Sequence, residues 1–425
     1  MRDADGQLIT CHECDALFLR HEIPAGARAD CTRCGAELYR HIPQSLERSS
    51  ALYLSTLIFM VIANVYPFLG MKTAGLSEEN LIYSGGWALY EFGMGELGFV
   101  VFLTSILFPF LSVAGMLLLL IPLQFGFLPI GHRIVYRIVR VCEPWSLLSV
   151  FMLGTLVAIV KLQSLATVVP GLGLVGFVAM LITYSAARVS FDPEVLWQKS
   201  AVRQLNKISA TANEAILTCH TCGLIRPNRE SYYHCERCGS PVHYRITDSV
   251  QRTWALLIAA ALMLIPANLY PVMTITMLGK GAPDTIFTGI VKLISSGLWG
   301  LALIVLFASI VVPFLKLTAL SYLLYSVSSK SKWRPRDRTL LYRMTELVGA
   351  WSMVDVFLVG LLSGLVSLGL IATVVPGIGA TFFGGAVILT MLAAKSFDPR
   401  LIWDGALQSS EEVILKSDEG IQVTP

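Results

Sequence analysis

The stretch Gly349–Gly377 reads GAWSMVDVFLVGLLSGLVSLGLIATVVPG, is almost wholly apolar and is long enough to cross a lipid bilayer as a helix. One acid, Asp355, lies near its start. A charged side chain at the centre of a bilayer costs about 2.5–3.5 kcal/mol on insertion scales. Asp355 is therefore expected in a protein interior, either as a functional group or as one member of an ion pair.

The chain contains a second copy of this pattern, Pro144–Gly171, which reads PWSLLSVFMLGTLVAIVKLQSLATVVPG. Ser149 stands there at the position of Asp355, so one copy lacks the acid. Further positions match at nearly the same offset: Cys34 and Cys238, Asn64 and Asn268, Pro109 and Pro313, Trp145 and Trp351, Pro170 and Pro376, Asp192 and Asp398. Internal repeats are typical of transporters. Four spans per repeat would give both halves the same orientation, about a pseudo-twofold axis along the membrane normal.

The composition is that of an integral membrane protein. Of 425 residues, 55% are apolar and only 14% are charged, against about 25% charged in soluble domains. The net charge of +3 is too small to indicate nucleic acid as a partner. The N-terminus has no apolar core of the signal-peptide type, so it is expected to stay in the cytoplasm.

Eight of the nine cysteines form two sets of paired C-x-x-C motifs. The sets are Cys11, Cys14, Cys31 and Cys34, and Cys219, Cys222, Cys235 and Cys238. Each set can supply four thiolates to a tetrahedral zinc, which leaves no open position for catalysis. Two structural zinc ions are therefore predicted, with His12 or His21 as less favoured replacements for one cysteine ligand. Cys142 stands alone and is expected to act as a small apolar residue.

The predicted fold class is an all-α polytopic membrane protein with two tandem four-helix transmembrane repeats, about eight spans in all. A small cytoplasmic four-cysteine zinc ribbon precedes each repeat. The predicted parts are a zinc ribbon (1–45), a first transmembrane repeat (46–197), a linker (198–217), a second zinc ribbon (218–246), a second transmembrane repeat (247–404) and a disordered acidic tail (405–425). The segments 132–140 and 330–343 are rich in Arg and Lys, and we expect them to be cytoplasmic loops.

Few charged or polar residues fall within the predicted spans. Asp355 and Lys316 are expected in the cytoplasmic parts of their helices, at similar depth. They are predicted to form a proton-responsive pair, with Ser352 and Thr390 as polar neighbours. The alternative is a fixed ion pair that only specifies helix packing. Lys161 is expected near the opposite face, where snorkelling to the interface is the alternative to a functional role.

The sequence also argues against several classes of enzyme. It has no G-x-x-x-x-G-K-[ST] motif for ATP hydrolysis. No histidine lies within a predicted span, which excludes a bis-histidine haem between helices. No Ser/His/Asp set or pair of catalytic acids can be assembled, so the chain is expected not to be an enzyme.

Several motifs together resemble the paraquat-inducible protein A family, which includes inner-membrane proteins of the lipophilic envelope-spanning tunnel type. The motifs are Asn-x-Tyr-Pro (Asn268–Pro271), Ser-Ile-x-x-Pro-Phe-x-Lys (Ser309–Lys316), Trp-Ser-Met-x-Asp-x-Phe (Trp351–Phe357) and Phe-Asp-Pro-x-x-x-Trp (Phe397–Trp403). The resemblance covers about residues 9–404. It implies that Lys316 and Asp355 carry the charged core, and it places Ser149 where relatives often have an acid.

The resemblance implies a protein of the bacterial inner membrane that moves lipids between the inner and outer membranes with a periplasmic tunnel partner of the mammalian-cell-entry (MCE) type. The charge distribution predicts that both termini and both ribbons are cytoplasmic. We expect phospholipid as the cargo and protonation of Asp355 as the switch that controls its transfer. The alternative is a scaffold or a zinc or redox sensor that anchors this partner without moving lipid itself.

Overall fold

Eight helical stretches in this computed structural model are long and apolar enough to cross a membrane. The structure describes residues 8–73, 76–162, 167–198, 216–227, 234–277, 280–365, 372–407 and 421–424. Within them the eight stretches are Ser45–Val65, Gly95–Gln124, His132–Leu162, Leu172–Ser190, Ser249–Leu269, Trp299–Ser328, Pro335–Leu365 and Ile378–Ser396. They form two tandem sets of four, which confirms the predicted mostly helical membrane fold.

The described residues of the first half form seven strands and eight helices. The strands are β1 (Leu8–Thr10), β2 (Leu17–Leu19), β3 (Arg28–Cys31), β4 (Glu37–Arg40), β5 (Leu69–Thr73), β6 (Leu76–Asn80) and β7 (Thr167–Pro170). The helices are α1 (Ser45–Val65), α2 (Ser84–Glu91), α3 (Gly95–Phe102), α4 (Phe108–Gln124), α5 (His132–Cys142), α6 (Leu148–Leu162), α7 (Leu172–Ser190) and α8 (Pro193–Gln198). A π-helical segment, Leu103–Leu107, joins α3 to α4.

The second half repeats this order. Its strands are β8 (Ile216–Thr218), β9 (Ile225–Pro227), β10 (Met273–Met277), β11 (Lys280–Asp284), β12 (Ala372–Pro376) and β13 (Ile421–Thr424). Its helices are α9 (Ser249–Leu269), α10 (Ile286–Ser295), α11 (Trp299–Leu306), α12 (Val312–Ser328), α13 (Pro335–Gly349), α14 (Val354–Leu365), α15 (Ile378–Ser396) and α16 (Leu401–Leu407). The π-helical segment Phe307–Val311 joins α11 to α12, and the short 3-10 helix Ala350–Met353 joins α13 to α14.

A serine at the start of each repeat fastens its first span to its last. Ser45 Oγ donates to the Ser190 carbonyl at 2.8 Å. Ser249 Oγ donates in the same way to the Ser396 carbonyl at 2.7 Å and accepts from the Asp398 amide at 2.9 Å. The outermost helices of each repeat therefore meet at the end of the bundle that carries the ribbons.

The two repeats meet through α6 and α14. Phe151 and Phe357 occupy equivalent positions in the repeats, and their ring centroids lie 5.3 Å apart at an interplanar angle of 75°. A contact between equivalent residues marks the axis that relates two similar units. The pseudo-twofold axis of the chain therefore runs between α6 and α14.

The two basic segments form helices rather than loops. α5 and α13 cover most of them and continue, through short 3-10 turns, into α6 and α14. In α5 the residues Tyr136, Val139 and Cys142 are buried at helical spacing, and this apolar stripe packs the helix against α4 while Arg133 and Arg140 are exposed. The third and seventh spans consequently begin about three turns earlier than the hydrophobicity predicts.

At the end opposite the ribbons, each repeat carries a three-stranded antiparallel sheet that the sequence interpretation missed. The strand orders are β6–β5–β7 and β11–β10–β12. The sheets explain the repeated Val-Val-Pro-Gly motif, because it forms the third strand and the turn into the last span. A Cβ on Gly171 would lie 2.0 Å from the Pro67 carbonyl oxygen, and one on Gly377 would lie 2.2 Å from that of Pro271.

The prediction of disorder for the whole tail is wrong at two places. Residues 405–407 belong to α16, and Ile421–Thr424 pair antiparallel with β3, with Ile421 opposite Cys31. The outer edge of β3 offers unpaired backbone groups, and the alternating Ile-Gln-Val-Thr sequence favours a strand. Residues 408–420 lie outside the described part of the chain.

Candidate functional site

A cavity lies where α6 of the first repeat faces the second repeat, with about 550 Å³ of empty space when its open mouth is included. Most of its lining is apolar, and the polar residues that line it include Lys161, Asp284, Ser309 and Asp355. Its apolar walls include Val157, Val272, Ile286, Leu293, Leu301, Val305, Leu358, Val359 and Phe383. An apolar cavity with a few charged groups suits an amphiphilic ligand.

Asp355 lies in the first turn of α14 and is 8% exposed. Its Oδ2 atom is buried and has no hydrogen-bond partner among the described residues. The hydroxyl of Ser309, which belongs to the π-helical segment before α12, is buried without a partner as well. π-Helical turns occur often at functional sites. Asp355 and Ser309 therefore bring buried polar atoms to a cavity whose walls are mostly apolar.

Lys161 comes to the same cavity from the first repeat. It lies in the last turn of α6, and its Nζ is 3.8 Å from the Met273 sulfur on β10. The sequence interpretation placed Lys161 near the outer face and considered Asp355 only with Lys316. The structure instead places Lys161 and Asp355 around one cavity.

The predicted ion pair between Lys316 and Asp355 is not formed. Lys316 is 1% exposed, and its Nζ donates to the Gly349 carbonyl at 3.1 Å and to Thr390 Oγ1 at 2.8 Å. Gly349 precedes Asp355 by six residues, a separation of about 9 Å along a helix. Because α13 extends the seventh span, Asp355 lies farther along that span than hydrophobicity indicates. The two charges therefore lie at different depths.

Thr390 and Ser352 were predicted as polar neighbours of the charges. Thr390 contacts Lys316, as described above, and donates its own proton to the Val387 carbonyl at 2.8 Å. Ser352 is 1% exposed, and its Oγ has no partner among the described residues. The equivalent first-repeat positions are polar but uncharged: Ser112, Ser146 and Tyr184. The second repeat therefore differs from the first in having a buried cation, Lys316, at this position.

The sequence interpretation missed the cavity roles of Asp284 and Ser309. Asp284 is 4% exposed, and its Oδ1 lies 2.5 Å from the Nζ of Lys292 on α10. An Asp-Thr pair just before an apolar helix is a typical helix start. The following Thr285 does cap α10 by accepting from the Thr288 amide. Ser309 is the first residue of the Ser-Ile-x-x-Pro-Phe-x-Lys motif, but nothing in that motif indicates that folding brings it to the same cavity as Asp355.

The eight paired cysteines form two candidate metal centres. In each set the four sulfur atoms lie within 4.8 Å of one another. Cys11 and Cys34 sulfurs are 3.4 Å apart, and those of Cys219 and Cys238 are 3.5 Å apart. Bonds of about 2.3 Å to a tetrahedral zinc would place sulfur atoms about 3.8 Å apart. The donor sets therefore fit a structural tetrahedral ion, and neither His12 nor His21 belongs to the clusters.

Four similar turns build these centres. After the second cysteine of each C-x-x-C pair the backbone adopts a positive φ, and three of these positions are glycine: Gly35, Gly223 and Gly239. The fourth is Asp15, with φ of 58°. A non-glycine residue in this region usually has a local reason. Asp15 accepts from Arg245 at 2.5 Å, so its carboxylate links the first ribbon to the segment before α9.

Each cysteine cluster packs on the opposite repeat. The Arg33 guanidinium of the first ribbon stacks on Trp403 at 4.5 Å, and the equivalent Arg237 of the second ribbon stacks on Trp197 at 5.2 Å. Arg343 on α13 donates to the Gly35 carbonyl, and the equivalent Arg137 on α5 donates to that of Gly239. The ribbons are therefore exchanged between repeats, and the Phe-Asp-Pro-x-x-x-Trp motif supplies the stacking tryptophan.

The first ribbon has additional ionic contacts with the second repeat. Arg343 Nε donates to Glu13 Oε1 at 2.8 Å, and its NH2 donates to the Cys34 carbonyl at 3.0 Å. Asp398 and Arg400 form a buried bidentate pair close to Asp15. Burial alone would raise the pKa of Asp398, but the hydrogen bonds and charge of Arg400 hold that pKa below its usual range. These charges attach the first cysteine cluster to the repeat that contains Lys316 and Asp355.

Comparisons with known proteins agree over nearly the whole chain. The sequence model described as paraquat-inducible protein A matches residues 46–201 and 250–406. Intermembrane transport protein PqiA of Escherichia coli (strain K12) is 31% identical over 412 residues, which are 95% of this chain and 97% of that protein. Lipophilic envelope-spanning tunnel protein A of the same strain is 33% identical over 404 residues, covering 94% of this chain and 92% of that protein. A probable intermembrane transport protein of Haemophilus influenzae is 30% identical over 401 residues, covering 93% of this chain and 96% of that protein. No solved structure matches this chain.

Proposed function

Since the chain belongs to the paraquat-inducible protein A family, we propose that it transfers phospholipid to or from an MCE-type tunnel protein in the bacterial envelope. Its similar relatives are named for intermembrane transport and for an envelope-spanning tunnel. These names support a transport role for a multi-pass membrane protein rather than an enzymatic one. Phospholipid as cargo, the MCE-type partner and the inner membrane as location are our proposals.

The cavity beside Asp355 is the observation on which this proposal rests. Its apolar walls can accept acyl chains, and Lys161, Asp284 and Asp355 offer both charge signs to a polar headgroup. An ionised carboxylate buried without a hydrogen-bond partner is unfavourable unless something compensates it. A ligand group or a proton at Asp355 would supply that compensation.

We further propose that protonation of Asp355 controls the cavity, and that Lys161, Lys316, Ser352 and Thr390 support this control. A carboxyl oxygen without a partner can gain a proton without first breaking a hydrogen bond. Lys316 lies outside the cavity lining. Its hydrogen bonds to Gly349 and Thr390 connect α12 to the end of α13 and to α15. Its buried cation is thus proposed to fix the position of the helix that carries Asp355.

The two cysteine clusters are proposed to hold zinc and to lie in the cytoplasm together with both termini. In this orientation the basic helices α5 and α13 begin on the cytoplasmic side, as the positive-inside rule favours. The three-stranded sheets would then face the periplasm and the tunnel partner. A single cysteine introduced at Glu79 should therefore react with an impermeant maleimide in intact cells, whereas one introduced at Arg334 should not.

Lipid retention and transport test the proposed function. The wild-type protein should copurify with phospholipid, detectable by mass spectrometry, and should support lipid transfer in reconstituted vesicles with its partner. Asp355→Asn should fold and bind the partner but transfer lipid at least tenfold more slowly. Ser149→Ala is the matched control, because Ser149 is the equivalent residue and is exposed. Partner binding without retained or transferred lipid would instead favour the scaffold or sensor function.

A further inference from the structure

The two cysteine clusters occupy equivalent places in the repeats but differ in how well their first C-x-x-C turn is covered. In the first cluster Cys11 and Cys14 are both 0% exposed. In the second cluster Cys219 is 2% exposed, whereas Cys222 is partly exposed. Cys222 is the one cysteine of the eight that is not fully buried. The second cluster therefore has a ligand residue that a chelator or a thiol reagent can reach from solvent.

An arginine holds the first cluster more firmly than its equivalent holds the second. Arg343 on α13 donates to the Glu13 carboxylate at 2.8 Å and to the Cys34 carbonyl at 3.0 Å, and its Nη2 lies 3.6 Å from the Cys34 sulfur. The equivalent Arg137 on α5 donates to one backbone carbonyl of the second cluster, at 3.3 Å. Thr221 stands at the position of Glu13, so the second turn offers no carboxylate there.

A second carboxylate fastens the first cluster to the segments around it. Asp15, which follows the first C-x-x-C pair, accepts from Arg245 at 2.5 Å and lies 3.7 Å from Arg400. The residue at this position in the second cluster is Gly223, which is exposed and has no side chain to fasten. Both carboxylates of the first turn are thus replaced by uncharged residues in the second.

The other C-x-x-C pair of the first cluster is bordered by a sheet. The strands β13, β3 and β4 form three antiparallel strands, and Ile421 of the tail lies opposite the ligand Cys31. At the equivalent pair of the second cluster, the described residues form a single bridge between His234 and Pro241. Backbone pairing on both sides of β3 restrains the first cluster further.

These differences bear on how readily each cluster gives up a metal ion. The reactivity of a cysteine follows the exposure of its thiolate, and buried structural cysteines are inert. Metal binding is coupled to folding of the site, so contacts that hold the site folded slow the release of the ion. Exposure of Cys222 and the missing carboxylates therefore both favour release from the second cluster.

We propose that the second cluster is an exchangeable metal site, entered at Cys222, whereas the first cluster is a permanent structural site. It would take a thiophilic ion such as zinc, and the proposal rests on the proposed zinc content of both clusters. Arg237 of this ribbon stacks on Trp197, and Tyr136 of α5 packs on the same tryptophan with ring centroids 5.2 Å apart. Metal occupancy would therefore control how firmly the second ribbon holds α5, which continues into α6 beside the cavity.

Zinc release to a chromogenic chelator tests the difference between the clusters. Full-length protein in nanodiscs that contains two zinc ions per chain should release one ion at least tenfold faster than the other to excess pyridylazoresorcinol. N-ethylmaleimide added after the fast phase should alkylate the second cluster and spare the first, as measured by peptide mass spectrometry. Hydrogen exchange after the fast phase should increase in α5 and stay unchanged in α13.

Exchanging the residues beside the ligands gives matched variants. Glu13→Thr with Asp15→Gly gives the first turn the residues of the second turn, and should speed release from the first cluster at least tenfold. Glu37→Gln is the control, because Glu37 is an exposed acid of the same ribbon that pairs only with Arg40. It should leave both release rates unchanged.

The outcomes separate metal exchange from metal content. Release of both ions at one rate, or alkylation of the first cluster in the fast phase, would overturn the exchangeable site and leave two structural zinc sites standing. Purified protein without zinc would remove the zinc proposal and this one together. A fast phase that is confined to the second cluster, and that appears at the first cluster in Glu13→Thr with Asp15→Gly, is the expected result.

Discussion

Replacing Asp355 by asparagine should stabilise the protein while it abolishes transport. The side chain is 8% exposed, and one of its carboxylate oxygens has no partner among the described residues. An unsatisfied buried polar group costs about 1–3 kcal/mol, and more when it is charged. Asparagine keeps the shape and removes the charge, so we expect a gain of about 1 kcal/mol or more in the free energy of unfolding.

Thermal unfolding in nanodiscs, followed by tryptophan fluorescence, measures this gain. For a unit of 150–250 residues, about the size of one repeat, 1 kcal/mol moves the midpoint by about 2–4 °C. Lys316→Met should move it the other way, because it leaves the Gly349 carbonyl and Thr390 Oγ1 without the buried cation that now donates to them. Its expected cost is about 1–3 kcal/mol.

The double variant decides whether the two charges act as a pair. They share no hydrogen-bond partner in the described part of the chain and lie about 9 Å apart along the α13–α14 direction. Effects at separated sites add within about 0.5 kcal/mol. A larger coupling between Asp355→Asn and Lys316→Met would show that they do pair. A fall of the midpoint in Asp355→Asn alone would refute this reasoning, because it would show that the charge of Lys161 at the same cavity outweighs the cost of the carboxylate oxygen that lacks a hydrogen-bond partner.

Three further predictions follow from the ribbons and their docking. Wild-type protein should contain two zinc ions per chain by elemental analysis, and Cys235→Ser should contain one and express less well, because structural zinc contributes folding energy. Arg343→Gln should increase hydrogen exchange in the first ribbon and leave exchange in the second ribbon unchanged, because it removes the ionic bond to Glu13. An equal increase in both ribbons would contradict the packing of the first ribbon on the second repeat. Arg400→Leu should lower the free energy of unfolding by about 3–5 kcal/mol, because it leaves the buried Asp398 carboxylate without its cationic partner. The double variant Arg400→Leu with Asp398→Asn should recover most of this stability, as measured by thermal unfolding.

The pKa of Asp398 also gives the Arg400 pair a pH dependence with a definite sign. Because the folded pKa is below its usual range, the contribution of this acid to stability is present above its unfolded pKa. It should be lost as the pH falls from about 4, the value for an unperturbed aspartate, through the lower folded value. Unfolding midpoints of Arg400→Leu measured across this range should show a smaller loss, because only the backbone amides of Ile246 and residue 400 would still donate to Asp398.

The repeat, the spans and the two four-cysteine clusters could be predicted because their signals are local. Apolar runs of bilayer length predict membrane helices wherever they occur. Each C-x-x-C pair forms its own turn, so Cys31 and Cys34, like Cys235 and Cys238, could be assigned without the rest of the fold. The same local reasoning misassigned α5 and α13, since a helix rich in arginine can still pack on its neighbours, α5 through an apolar stripe and α13 through mostly polar buried residues.

The tertiary structure alone decided which residues share the cavity. Lys161 and Asp355 belong to different repeats, and no pattern in the sequence indicates that they meet. The sequence predicts similar membrane depths for Lys316 and Asp355, which carry opposite charges. Their separation in the structure depends instead on α13, a helix outside the apolar run, because Lys316 bonds to Gly349 on α13. The ribbons, likewise, precede one repeat in the chain and pack on the other. Burial and desolvation depend on distances between segments far apart in sequence, whereas hydrophobicity and ligand spacing are properties of a few consecutive residues.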